Sequence, residues 1–145
     1  MMNKNARLSE HFTLGEMTKT SAKGLDNTPS HAAVMNLKNL CENWLENLRS
    51  RYGSPIVINS GYRSEAVNKA VGGVKGSNHL TGCAVDIRCA GKEQMIRYAA
   101  ILLDIADGTK QEFDELLLEQ HGNVCWLHFA VKPKDNRRRI NFLKV

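Results

Sequence analysis

Apolar residues recur every three or four positions at Val34, Leu37, Leu40, Cys41, Trp44, Leu45 and Leu48, which predicts a helix over 31–52 ended by Gly53. Thr28-Pro29-Ser30 supplies the start signal, a hydroxyl cap beside a proline. A second amphipathic pattern covers 92–107 and is closed by Gly108. Between these helices the period shortens to two. Cys83, Val85, Ile87 and Cys89 point to one face of a predicted strand, while Ala84, Asp86 and Arg88 point to the other. The β-branched run 55–59 predicts a short strand, and 64–71 a short helix. Segments 115–119 and 124–131 read as two strands joined by a hairpin through Gln120-His121-Gly122-Asn123. Residues 1–28 carry only scattered apolar anchors (Leu8, Phe12, Leu14, Met17) and read as an extended lead-in; 132–145 reads as a basic tail around Arg137-Arg138-Arg139. The sum predicts an α+β fold, with helices packed on one side of a small, mostly antiparallel sheet, in one domain over 1–145.

Composition narrows the class. With 145 residues, 42% of them hydrophobic and 24% charged, the chain can bury a core and is not expected to be disordered. The N-terminus lacks an apolar signal region, and the longest apolar runs, such as 98–103, fall far short of the roughly 18 residues a membrane span needs. The expectation is a protein without a membrane span, made in the cytoplasm without a signal peptide, and a monomer. The net charge of +5 attracts polyanions, but only 6% of residues are aromatic and no nucleic-acid-binding module is evident, so no nucleic-acid partner is expected. Cys41, Cys83, Cys89 and Cys125 include no CxxC pair. Cys83 and Cys89 flank one strand and so stand about 20 Å apart, beyond disulfide reach; all four are expected to be buried thiols.

The stretch Ser77-Asn78-His79-Leu80-Thr81-Gly82-Cys83-Ala84-Val85-Asp86 carries the chemistry. It puts an imidazole in a loop beside glycine and a carboxylate on the following strand, facing away from the core side. In the strand 124–131, Cys125, Leu127, Phe129 and Val131 form the apolar face, leaving His128 on the other with Trp126 and Ala130. Two neutral imidazoles and one carboxylate, His79, His128 and Asp86, are the donor set of a catalytic zinc site with its fourth position open.

These residues match Ser-x-His-x-x-Gly-x-Ala-x-Asp, and the sequence thereby resembles the zinc murein peptidases: D-alanyl-D-alanine carboxypeptidases and dipeptidases and the phage L-alanyl-D-glutamate endolysins. Trp126-Leu127-His128 is similar to their late Trp-x-His strand, and Ser60-Gly61-Tyr62-Arg63-Ser64 to their Ser-Gly-Tyr-Arg-Ser element. Phe12-Thr13-Leu14-Gly15-Glu16-Met17 and Asp26-Asn27-Thr28-Pro29 resemble the small phage and prophage branch. The resemblance implies Zn²⁺ as cofactor and a peptidoglycan stem peptide as substrate, cut at a D-Ala-D-Ala or L-Ala-D-Glu type amide in the cell wall after release or delivery. It implies that Arg63 holds a substrate carboxylate or carbonyl. Ser77 and Trp126 are further candidates for substrate contact, Ser77 having the alternative role of a loop cap.

One departure bears on mechanism. Many relatives place the general base three residues before the last histidine, where this chain has Cys125. The small branch and the related hedgehog signalling domain place a glutamate at the end of the preceding strand instead. Glu119 fits that place, and alternation sets it opposite Leu116 and Leu118; Asp114 is the reserve candidate. The hedgehog case keeps a second function open: a zinc-holding, catalytically silent module that binds wall or protein.

Overall fold

The computed structural model describes residues 2–145. Helix α1 (Leu14–Thr18) opens with a capping box between Thr13 and Glu16, so the lead-in is not extended throughout. Helix α2 (His31–Leu40) is capped by the Ser30 hydroxyl and runs through a π-helical turn (Cys41–Leu45) into α3 (Glu46–Tyr52), which ends at the left-handed Gly53. The predicted helix over 31–52 is thus present, with a wide turn at its centre that periodicity did not foresee. That turn lies where Cys41, Trp44 and Leu45 all enter the core.

Strand β1 (Ile58–Ser60) begins later than the predicted 55–59, and Ser64 caps α4 (Glu65–Ala70). A 3₁₀ turn (Asn78–Thr81) leads into β2 (Ala84–Cys89). Helix α5 (Lys92–Thr109) passes through Gly108 and stops at Lys110, which adopts a left-handed conformation, φ 58°. Strands β3 (Glu115–His121) and β4 (Val124–Ala130) form the predicted hairpin.

The basic tail differs most from expectation. Residues Arg139–Lys144 form β5, parallel to β3, so among the described residues the sheet has five strands in the order β1-β2-β4-β3-β5. All other pairings are antiparallel. The two faces divide as alternation predicts. Val85, Ile87, Cys89, Leu116, Leu118, Cys125, Leu127 and Phe129 join Leu37, Leu40, Trp44, Leu48, Leu102 and Ile105 in one core beneath the helices. At about 25 cal/mol per Å² of apolar area, this burial supplies the main stabilisation and leaves the opposite sheet face for polar groups. The four cysteines are free and buried. No helix among the described residues is long and apolar enough to cross a membrane.

Candidate metal centre

The sheet register brings the ligand set together. β2 and β4 are neighbours, and Asp86 stands directly opposite His128. Directly opposed side chains on one face lie about 5 Å apart at Cβ, which puts both within reach of one ion. His79 joins them from the 3₁₀ turn. The Ser77 hydroxyl caps that turn by accepting from the His79 N–H at 3.1 Å. Gly82 closes it at φ +75°, and any Cβ there would strike the Ala33 carbonyl. The ligand atoms of His79, Asp86 and His128 all lie within 4.8 Å of one another.

Each ring is turned by a partner behind it. The Nδ1–H of His79 donates to the Gly61 carbonyl at 2.6 Å, so its Nε2 faces Asp86 Oδ1 at 3.3 Å. Gly61 itself abuts Met17, whose carbonyl a side chain at 61 would hit. His128 presents Nδ1 to the same Asp86 oxygen at 3.0 Å, while Nε2 lies 3.0 Å from Glu115 Oε1. Two ring nitrogens thus converge on one carboxylate oxygen in a largely buried setting. That donor set fits a tetrahedrally bound divalent ion.

The electrostatics follow from these contacts. Burial works against the Asp86 carboxylate, but the charge and hydrogen bonds of His79 and His128 outweigh it and hold its carboxyl well below the usual range. Burial alone would lower His128, yet its bonds to Asp86 and Glu115 raise it to about 9. Glu115 is lowered to about 2, chiefly by its bond to His128.

A cleft of about 860 Å³ spans this face and is bordered by Arg63, Ser77, Glu119 and Trp126 together with the three ligand-type residues. Glu119 is half-buried and stands opposite Trp126. Burial raises its carboxyl above the ordinary value, opposed by the charge of His128. Asp114 is wholly buried, with both oxygens taken: Oδ1 accepts from the Arg137 backbone N–H and Nε, and Oδ2 from Arg137 Nη2 and Asn78. Arg63 reaches Asp86 Oδ2 at 3.2 Å, Ser60 Oγ at 3.0 Å and Asn68 Oδ1 at 3.4 Å. It therefore braces the outer oxygen of a ligand as well as bordering the cleft.

Three supporting residues escaped the sequence reading. Asn78, between Ser77 and His79, donates 2.9 Å bonds to both Asp114 and Glu115. Asn68 links Arg63 to the Val74 carbonyl. Glu115 had a usable signal, because alternation places it on the face of Glu119, four residues on. The Arg137–Arg139 run is exposed and also ion-paired: Arg137 with Asp114, Arg138 with Asp107, and Arg139 with Glu115.

Fold and site together describe an α+β protein whose sheet and adjoining 3₁₀ turn carry a His/Asp/His group able to hold a metal. The sequence matches the family model for peptidase M15 over residues 10–116, and the chain belongs to that peptidase family. The match takes in His79, Asp86 and Arg63 and stops short of Glu119 and His128. A search of curated proteins returns no match to this sequence.

Proposed function

We propose that the protein is a zinc metallopeptidase that hydrolyses an amide of the peptidoglycan stem peptide, of the D-Ala-D-Ala or L-Ala-D-Glu type. The observation that carries this reading is the convergence of His79 Nε2 and His128 Nδ1 on Asp86 Oδ1 at the floor of a cleft that also holds Glu119 and Arg63. His79, Asp86 and His128 would hold the zinc, which when bound acidifies water and polarises a carbonyl.

The chain's own residues do the rest. Glu119 takes a proton from the attacking water and returns it to the leaving amine. Burial raises its carboxyl above the ordinary value, the direction that favours a group that must accept a proton as well as release it. Asp114 is poorly suited to the role, since accepting a proton would break its bonds to Arg137. Arg63 offers its remaining N–H groups to a substrate carboxylate or carbonyl. Trp126 forms an apolar wall beside Glu119, and Ser77 serves first as the cap that sets His79.

Digestion of purified murein with the zinc-loaded protein, followed by mass analysis, tests the proposal. Amide-cleaved stem fragments that vanish with a chelator are expected. Zinc bound at this site with no fragment from any stem peptide would favour a silent binding module instead.

A further inference from the structure

We propose that Glu115 is a positioning residue for the metal site, accepting the Nε2–H of His128 so that the ring offers its Nδ1 lone pair to the ion. The inference rests on the reading that His79, Asp86 and His128 hold zinc.

A neutral imidazole carries its single N–H on either nitrogen, and the partner behind the ring selects which. Nδ1 ligation by His128 requires the proton on Nε2. Glu115 Oε1 sits 3.0 Å from that nitrogen, with its side chain only 12% exposed. The carboxylate is itself fixed from several sides. Oε1 also accepts from Asn78 at 2.9 Å, and Oε2 faces Arg139 Nη1 at 3.2 Å and Arg137 Nη2 at 3.5 Å. With both oxygens engaged, Glu115 resists swinging away from the ring. Arg139 opens β5 and pairs with Glu115 across the parallel register, so the C-terminal strand acts on the metal site through this carboxylate. His79 has a neutral backbone carbonyl in the equivalent place; the anionic acceptor behind His128 makes that ring the more basic donor.

The test measures zinc affinity by chelator competition for the parent protein, Glu115→Ala, Glu115→Gln and Asp86→Ala, with ¹⁵N-histidine spectra of the zinc-loaded forms. Glu115→Ala should bind zinc about 10–100-fold more weakly, the range for loss of such a partner. Glu115→Gln, whose amide oxygen still accepts the Nε2–H, should recover most of that affinity while its His128 Nε2–H proton resonance moves upfield. If Asp86→Ala loses zinc but Glu115→Ala matches the parent, the role of Glu115 is overturned and the site stands. If the parent binds no zinc, or Asp86→Ala binds it equally well, the site reading falls and the inference with it. Should Glu115→Ala fail to fold, the Gln variant decides: an unmoved His128 resonance overturns the proposal.

Discussion

His79 and His128 approach the same carboxylate oxygen, and they are mounted differently. His79 rides on a loop whose shape is set by backbone: the Gly61 carbonyl behind its ring, the Ser77 cap and the left-handed Gly82. His128 rides on a central strand, and charged side chains orient it, with Asp86 before the ring and Glu115 behind. One mount depends on steric freedom in the chain and the other on ionic partners. Changes to backbone shape should therefore damage the His79 side through folding, whereas changes in charge or pH should act on the His128 side with the fold retained.

The shared oxygen gives the largest effect. Asp86→Ala removes a ligand and the carboxylate that both rings face, so zinc affinity should fall by more than the roughly 100-fold that loss of a supporting residue costs. Competition with a chelating dye measures it; retained affinity would remove the site.

Gly82→Ala probes the backbone mount. A Cβ at φ +75° costs about 1–2 kcal/mol in conformation alone, and the contact with Ala33 adds to it. Urea unfolding should show this loss together with weaker zinc binding. A variant as stable as the parent would break the contrast between the mounts.

The charged mount responds to pH. Without metal, the His128 value of about 9 lies above its ordinary 6.5. Its contribution to stability is therefore complete below about pH 6.5 and lost as pH rises through about 9. Zinc must displace that proton, so apparent affinity should rise by roughly tenfold per unit from pH 7 towards 9 and then level off. Calorimetry in buffers of different ionisation enthalpy would count the proton released at pH 7; none released would contradict this picture.

Arg63→Ala should give the smallest change in metal binding, a few-fold loss as Asp86 Oδ2 loses one partner, with a larger loss in use of a stem peptide. Unchanged kinetics would leave Arg63 as a brace for Asp86 alone.

Much of the site was legible because its signals are local. The His79 to Asp86 spacing lies within one turn and strand, and period-two alternation assigns Asp86, Glu119 and His128 to one face. What alternation does not give is adjacency. That β2 lies beside β4, with Asp86 opposite His128, is settled by long-range pairing. Alternation places Glu115 on the same face, but its contact with the His128 ring comes from the pairing of β3 with β4 and is not written in either segment. Strand β5 was hidden for a different reason: three arginines precede Ile140 and Phe142, so the segment reads as solvated charge, while its pairing with β3 and the ion pairs to Asp114 and Glu115 are tertiary. The π-helical turn in the long helix is likewise invisible in the sequence, since its residues keep an ordinary helical pattern.

The central claim, that Glu119 works as the base of a zinc peptidase, is tested most directly by turnover of the zinc-loaded Glu119→Gln variant on the stem peptide identified by digestion. The glutamine keeps the shape but cannot take the proton. Turnover should fall by about 10²–10⁴-fold with zinc still bound. A Glu119→Gln protein that turns over like the parent, with Asp114→Asn inactive yet folded, would contradict the account.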